Sequence, residues 1–274
     1  MVDGARSPGV RDDATRMTSR ATLSVILIAK NEEAHILECL KSVAFADEII
    51  VIDSGSTDDT VALARQSGAI VTVTPDWPGF GIQKNRALAQ ASCDWVLSLD
   101  CDERITPELA TEIAAILTLP GASDAYAIPR LSEFCGRFIR HSGWWPDPVV
   151  RLFRRGAARF TDAAVHEKVK VTGKVGQCRA HMLHFPYDGL SDWIDKMNRY
   201  SSAAAQIKYD AGRTSSAWGA VMRGCWTFFR AYVLRRGFLD GWQGVVLAAG
   251  SGAGNFFRYA KLIALKENKK REDC

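Results

Sequence analysis

Four strongly apolar runs, separated by amphipathic stretches, fill residues 23–100, and this alternation constrains the fold more than any other feature. The first run reads LSVILIA, which is typical of a strand buried on both faces of a parallel sheet. The predicted strands cover 23–29, 48–53, 69–74 and 94–99, and the predicted helices between them cover 36–44, 61–66 and 79–91. This order predicts an α/β fold with a mostly parallel sheet flanked by helices.

Beyond residue 120 the pattern changes to short strands and then to helices. We predict strands over 125–130, 149–153 and 164–171, and helices over 107–117, 192–208 and 218–236, the first of them capped by Thr106. The N-terminal residues are polar and charged and lack the apolar core of a secretory signal, so we expect a disordered leader. The predicted units are this leader (1–21), an α/β domain (22–205, with halves 22–120 and 121–205) and an amphipathic helical extension (206–274).

Acidic residues stand where two of the predicted strands end. Asp53 ends the second strand, and Asp100 follows the fourth, with Asp102 one residue further on. Ligands of open α/β sheets bind outside the carboxyl ends of the strands. Two carboxylates on a short turn are hard oxygen ligands that suit Mg²⁺ or Mn²⁺, and such a metal neutralises charge on a leaving nucleoside diphosphate. A D-x-D triplet also occurs in polar loops and helix caps, but its position after the strand favours a metal site.

Asp53 and Lys84 fit a nucleotide site. Asp53 can accept a hydrogen bond from a base N–H or a ribose hydroxyl, while Ser56 and Asp59 are expected to cap the next helix. Lys84, which we place on the exposed side of its helix with Asn85 and Arg86, supplies positive charge for a diphosphate. An exposed helical lysine can equally be a solvated side chain.

The segments LSVILIAKNEE, IIVIDSGSTDDT, QKNRALAQA and WVLSLDCDE together resemble glycosyltransferase family 2, the inverting nucleotide-sugar enzymes of GT-A fold. The later segments WWPDPVVRLFRR, VHEKV and LHF resemble more narrowly the lipopolysaccharide core β-1,4-glucosyltransferases. No GxGxxG follows the first strand and no P-loop is present, which argues against a Rossmann dehydrogenase or a P-loop enzyme.

The resemblance implies a role for each matching residue. Asn31 and Glu32 would line the nucleoside pocket, Asp53 would bind the base, Lys84 the diphosphate, and Asp100 and Asp102 the ribose and the metal. His184 in LHF is a candidate third metal ligand or a structural histidine.

Inverting transfer needs a general base that takes the proton of the acceptor hydroxyl. Glu167, in the sequence VHE, is preferred for this role, and Asp147 is the alternative. Trp144 and Trp145 can stack on an acceptor sugar or pack in the core. Arg151 suits the phosphate of a phosphorylated or lipid-linked acceptor, although a solvated strand edge would look the same.

The C-terminal extension interleaves Trp, Phe and Tyr with Lys and Arg, a composition typical of a helix lying on an anionic bilayer. The alternative is a helical pair packed on the domain or on a second subunit. The net charge of +4 is too small to indicate nucleic acid, and seven cysteines without a CxxC pair favour free thiols in a reducing compartment. We therefore expect a cytoplasmic protein that is peripheral on the cytoplasmic face of a membrane.

The predicted activity is metal-dependent transfer of a hexose, glucose by resemblance, from a UDP-type donor to a glycolipid or oligosaccharide of the cell envelope. The alternatives are transfer to a polyprenyl phosphate or a protein, and a non-catalytic nucleotide-binding protein of the same fold.

Overall fold

A ten-stranded mixed sheet forms the centre of the molecule. The computed structural model describes residues 20–161 and 168–272, without the side chains of 270–272. The strands are β1 Leu23–Ala29, β2 Glu48–Asp53, β3 Ile70–Val73, β4 Trp95–Asp100, β5 Glu103–Ile105, β6 Ala125–Phe134, β7 Arg137–Phe138, β8 Asp147–Arg154, β9 Ala158–Phe160, β10 Val169–Val171, β11 Val175–Gln177 and β12 Met182–His184. The helices are α1 Ile36–Ser42, α2 Thr60–Gln66, α3 Phe80–Gln90, α4 Pro107–Thr118, α5 Leu190–Asp210, α6 Ala217–Phe229 and α7 Gly241–Glu272.

The sheet has the order β3-β2-β1-β4-β8-β6-β12-β5, and β7 and β11 also pair with β6. The first four strands are parallel and are joined by helices, which confirms the predicted α/β half. β8 is antiparallel to both β4 and β6, so β6 runs in the same direction as β4. β9 and β10 form a separate antiparallel pair.

The continuous apolar run of β1 is explained by two cores, one on each face of the sheet. Val25 and Leu27 belong to the core under α1 and α4, whereas Ile26 and Ile28 belong to the core under α3. Because successive side chains of a strand point to opposite faces, a strand covered on both sides has no position for a polar surface residue.

Helix caps agree with the predictions at one place and differ at another. Thr106 caps α4, since its hydroxyl accepts a 3.3 Å hydrogen bond from the N–H of Leu109. At α2, Asp58 rather than Ser56 or Asp59 binds the first turn, through the N–H and hydroxyl of Thr60. The prediction that these two side chains cap α2 was wrong: the Ser56 hydroxyl donates to Asp53, and Asp59 stands at the N-cap position without a side-chain hydrogen bond to the helix.

The second half contains more strands than predicted. β5, β7, β9, β11 and β12 were not anticipated, and each has only two or three residues. The predicted helix over 218–236 ends earlier: α6 stops at Phe229, a π-helical turn covers Arg230–Leu234, and Arg236 has left-handed backbone. The predicted strand over 164–171 is described only as β10, because 162–167 lie outside the described residues. The predicted domain boundary at 205/206 falls within α5.

Three helices, α5, α6 and α7, pack together at the C-terminal end of the chain. Small residues bring α6 and α7 close: a Cβ added at Gly224 would lie 3.1 Å from the carbonyl oxygen of Gly252. The buried carboxylate of Asp240, directly before α7, accepts hydrogen bonds from the N–H groups of Arg140 and His141, which lie shortly after β7. These bonds connect the helices to the part of the chain that forms the sheet. None of the helices in the described ranges is long and apolar enough to cross a bilayer.

Candidate active site

The carboxyl ends of β1, β2 and β4 meet at one edge of the sheet, where the predicted site residues begin. Ala29 lies opposite Asp53 and Ile28 opposite Asp100 in the parallel register. β12 is parallel to β6, which runs in the direction of β4, so the end of β12 delivers His184 to the same edge. Residues from distant parts of the chain therefore surround one cleft, at the place where α/β sheets bind ligands.

Asp53 and Asn31 hold the loops that line this cleft. Asp53 is completely buried, and one carboxylate oxygen accepts 2.9 Å hydrogen bonds from the N–H groups of Gly55 and Ser56. Asn31 has left-handed backbone (φ 56°), which Asn tolerates, and its amide oxygen accepts a 2.8 Å bond from the N–H of Thr57. Both side chains thus fix the loops after β1 and β2, whatever contact they also make with a nucleoside.

An aromatic slot that the sequence analysis missed lies beside Glu32. A cavity of about 320 Å³ is lined by Trp77, Phe80, Glu32 and the end of β1. The two rings meet edge to face with centroids 4.9 Å apart, and Trp77 and Phe80 remain 43% and 42% exposed. Exposed aromatic faces with a polar rim suit a flat heterocycle such as a nucleobase. The signal available in the sequence is the aromatic pair in DWPGF, between β3 and α3.

Glu32 also faces the acids of the D-x-D turn. Burial raises the pKa of Glu32 above its usual range, and the charges of Asp102 and Asp100 raise it further, against a smaller lowering by His35. Asp102 and Asp100 therefore place negative charge beside Glu32, and a bound cation would offset that charge.

A chain of ion pairs lies behind the cleft. Asp100 is bound on both oxygens, by Lys84 Nζ at 2.9 Å and by the Arg151 guanidinium at 2.5 Å. The same Arg151 nitrogen lies 2.6 Å from the fully buried Glu103, which Arg130 also approaches at 3.4 Å. Burial alone would raise the pKa of Asp100, but the charges of Arg151 and Lys84 outweigh it and hold this pKa well below its usual range. Asp100 is therefore an ionised carboxylate whose oxygens are both occupied by cations.

Lys84 was predicted on the exposed face of its helix, and this was wrong: it is 5% exposed. Its ammonium lies 5.7 Å from the ring centroid of Phe160 in β9. Asn85, predicted on the same exposed face, binds the backbone of Phe160. Its amide nitrogen donates to the Phe160 carbonyl at 3.0 Å, and its amide oxygen accepts from the Phe160 N–H at 3.1 Å. The physical reason is β9, an unpredicted strand that covers this face of α3 and directs Lys84 toward Asp100.

Asp102 and His184, both predicted as metal ligands, lie side by side in the site. His184 Nε2 lies 3.4 Å from one oxygen of Asp102, and the other oxygen of Asp102 is buried without a hydrogen-bond partner. The Ser132 hydroxyl lies 2.8 Å from His184 Nδ1 and orients the ring with Nε2 toward Asp102. The structure therefore brings together the predicted residues Asp102 and His184, which are 82 positions apart in the sequence.

The residues present fit a divalent cation that takes part of its coordination from substrate. A carboxylate oxygen and an imidazole nitrogen are suitable ligands, and the buried unpartnered oxygen of Asp102 lacks the partner that a cation would supply. The described residues hold no group of three or more acidic, histidine or cysteine side chains arranged as a closed metal site. Asp100, also predicted as a metal ligand, is engaged by Lys84 and Arg151 instead.

A second cavity, of about 330 Å³, opens next to His184 and is lined by Asp147, Trp144 and Tyr187. One oxygen of Asp147 accepts two hydrogen bonds from Arg130, at 3.0 and 2.7 Å, and its side chain stays 45% exposed. Trp144 packs against Phe134 and Tyr187 and still lines the cavity, so packing and ligand contact are compatible for it.

Trp145 is not among the described residues that line the cavity of Trp144 and Asp147. Its ring packs edge to face on His181, with centroids 5.7 Å apart, and lies 5.7 Å from the Arg140 guanidinium. Arg151 is likewise committed, since it is 5% exposed and paired with two acids. These two residues, predicted on the acceptor side, are held in packing and in the ion-pair chain.

Glu167, the preferred general base, lies outside the described residues. The next residue in the chain, Lys168, lines a cavity of about 420 Å³ together with Lys84, Asp100 and Arg130. Arg130 and Glu103 were not assigned a role from the sequence. Glu103 belongs to the acidic run DCDE that begins at the last residue of β4, whereas Arg130 lies far from it in the segment AIPRL.

Comparison with known proteins identifies a family and several relatives of the chain. The model of Glycosyl transferase family 2 matches residues 24–180. An uncharacterized glycosyltransferase of Rickettsia prowazekii is 33% identical over 252 residues, which cover 88% of this chain and 86% of the relative. The lipopolysaccharide core biosynthesis glycosyltransferase LpsC of Rhizobium meliloti is 29% identical over 89% of this chain and 95% of its own length, and it confirms the predicted resemblance. Among solved structures, S. aureus TarS 1–349 in complex with UDP is 19% identical, with a TM-score of 0.48 over 90% of this chain and 92% of that chain.

Proposed function

The chain belongs to glycosyltransferase family 2 and has its GT-A fold, and we propose that it transfers a hexose from a nucleotide-diphosphate sugar to a glycolipid or oligosaccharide with inversion. The observation that carries the proposal is the Asp102–His184 pair with its buried unpartnered oxygen, two residues beyond Asp100, which pairs with the buried Lys84 at the end of β4. Burying a lysine and a carboxylate oxygen without a hydrogen-bond partner costs free energy, which argues against a non-catalytic protein of the same fold.

The donor is proposed to bind across the ends of β1, β2 and β4. Its base would enter the cavity that Trp77 and Phe80 line together with Glu32, and the family resemblance makes UDP the expected nucleotide. Lys84 would turn from Asp100 toward the diphosphate, and its ammonium is already desolvated at that point. A charge that is held in place and shielded from water interacts strongly with a phosphate.

Asp102 and His184 would hold Mg²⁺ or Mn²⁺, with the diphosphate and water as further ligands. When bound, the cation supplies positive charge against the leaving diphosphate. The residues of the chain orient this site: Ser132 fixes the His184 ring, and Arg151 keeps Asp100 ionised.

The acceptor is proposed to bind in the cavity of Trp144, Asp147 and Tyr187, next to His184. Trp144 and Tyr187 provide flat apolar surface for a sugar ring. The base that removes the acceptor proton is Asp147 or Glu167. Asp147 is favoured by its place in this cavity, and Glu167 by the neighbouring Lys168, which lines the cavity beside Asp100.

A role in lipopolysaccharide core or related cell-envelope synthesis is supported by the name of the Rhizobium meliloti relative, LpsC. Such an acceptor is anchored in a membrane, and one face of α6 suits the membrane surface. Trp218, Met222 and Trp226 follow helical spacing on this face and are 70%, 52% and 57% exposed. Exposed apolar residues continue to Trp242, and Arg223, Arg230, Arg235 and Arg236 are interleaved with them. Large aromatic residues among cations are typical of an interfacial helix, so we propose peripheral association with an anionic bilayer.

The transfer reaction is tested by proton NMR of UDP-glucose, GDP-glucose and ADP-glucose, each incubated with the enzyme and Mn²⁺ in the absence of acceptor. Water then replaces the acceptor, and an inverting enzyme releases β-glucose first, before it equilibrates. The account predicts that one donor is consumed, with β-glucose appearing first and only with an intact Asp102. Release of α-glucose, or equal consumption by Asp102→Asn, would contradict the proposal.

A further inference from the structure

A second cleft, of about 450 Å³, lies between α5, α6 and α7, away from the ends of the parallel strands. Trp193 and Tyr200 of α5 line one side, and Arg258 of α7 lines the other. The volume lies within the range of ligand sites in proteins, roughly 300–1,000 Å³. No sequence motif indicated this cleft.

The charge in the cleft is not balanced. Lys196, which also lines it, is neutralised by Asp192 at 3.0 Å. Arg258 has no ion pair within the described part of the chain, and its Nε is buried without a hydrogen-bond partner. A buried guanidinium N–H without an acceptor is costly, which indicates that a ligand supplies one.

The cleft adjoins the proposed acceptor cavity. Tyr187 lines both of them, and its ring lies 6.2 Å from Trp144 on the acceptor side. Phe134 connects the same group to Trp193, at 6.3 Å from Tyr187 and 5.2 Å from Trp193. A saccharide longer than one ring could therefore run from Asp147 past Tyr187 into the second cleft.

We propose that this cleft is a distal acceptor subsite, which binds a negatively charged sugar unit through Arg258, with Tyr200 and Trp193 against the sugar ring. The charged group is a phosphate ester or a carboxylate, both of which match the planar guanidinium donors. This inference rests on the proposed transferase function, and it specifies an acidic saccharide as the acceptor class.

The test is calorimetric titration of glucose 6-phosphate, glucuronate and glucose into the full chain saturated with UDP and Mn²⁺, so that the donor site is filled. The expected result is roughly tenfold or tighter binding of the two anionic sugars than of glucose. Arg258→Gln should remove that preference, and Arg258→Lys should keep part of it. Lys266→Gln is the matched control, since it removes one positive charge two turns further along α7 and should keep the preference.

Two arms separate the possible failures. The nucleotide titration comes first: absent binding of UDP, GDP and ADP would overturn the proposed function itself, whereas intact nucleotide binding with no effect of Arg258→Gln would overturn only the subsite. A second arm measures binding to phosphatidylglycerol vesicles. If Arg258→Gln loses vesicle binding but keeps its preference for anionic sugars, the ligand is a phospholipid headgroup and the saccharide proposal is wrong.

Discussion

Replacing Arg151 by Met should strongly destabilise the protein, because it removes the cation that joins two acids at the base of the site. Arg151 is 5% exposed and lies 2.5 Å from Asp100 and 2.6 Å from the fully buried Glu103. Without it, the cation that remains beside Glu103 among the described residues is Arg130, at 3.4 Å, and the one that remains beside Asp100 is Lys84. Surface ion pairs contribute about 0–1 kcal/mol, but removing one partner of a buried pair costs about 3–5 kcal/mol.

The assay is urea unfolding followed by circular dichroism, with thermal unfolding as a second measurement. A loss of this size corresponds to a fall in midpoint temperature of roughly 10 °C for a chain of this length. Arg155→Met is the matched control, because Arg155 directly follows β8 and is exposed; it should change the free energy of unfolding by less than about 0.5 kcal/mol.

A double variant shows whether the loss comes from the uncompensated acid. Adding Glu103→Gln to Arg151→Met should recover part of the loss, because the neutral amide can still accept the 3.1 Å hydrogen bond from the N–H of Asp100. Equal and small effects of Arg151→Met and Arg155→Met, or a further loss in the double variant, would refute the reasoning about a buried ion-pair chain.

Three further predictions concern the site. Trp77→Ala should weaken UDP binding about tenfold or more by calorimetry, equally with and without Mn²⁺, while exposed Trp218→Ala leaves it unchanged; equal effects of both would exclude the aromatic slot. The proposed base is Asp147 or Glu167, so either Asp147→Asn or Glu167→Gln should lower kcat at least about 100-fold while UDP affinity stays unchanged. If both variants keep full activity, neither residue is the base. Because the folded-state pKa of Asp100 is lowered, its contribution to stability is complete at neutral pH and is lost as the pH falls below about 4. The difference in unfolding free energy between wild type and Asp100→Asn should therefore shrink in acid, and a difference that grows instead would show a raised pKa.

Much of the parallel half could be predicted, because its signals are local. The continuous apolar run of β1 indicates a strand that is buried on both faces. The acids that end β2 and β4 mark the edge of the sheet where ligands bind. Asp100 and Lys84, both predicted for the nucleotide site, lie 2.9 Å apart in the structure.

The acceptor half was harder to predict, because its strands are short and pair over long sequence distances. β12 has three residues and contacts β5 and β6, which lie more than 45 positions earlier in the chain. No local pattern indicates such pairing, so the burial of Lys84 under β9 and the ion pairs of Glu103 were missed. α7 contains several glycines, although Gly is a poor helix former. Packing outweighs that preference: a Cβ at Gly250 would lie 1.8 Å from the Trp193 ring, so only glycine allows α5 to approach.

The proposal that Asp102 and His184 form a divalent-metal-dependent site for a nucleoside diphosphate is tested most directly by calorimetric titration of UDP. Wild type and Asp102→Asn are each measured with and without Mn²⁺, and Asn preserves the shape of the side chain while removing its charge. The account predicts that Mn²⁺ strengthens UDP binding at least about tenfold in wild type and has little effect in Asp102→Asn. The same Mn²⁺ effect in both proteins would contradict the assignment of Asp102, and failure of wild type to bind UDP, GDP, ADP or CMP with or without Mn²⁺ would contradict the proposed transferase.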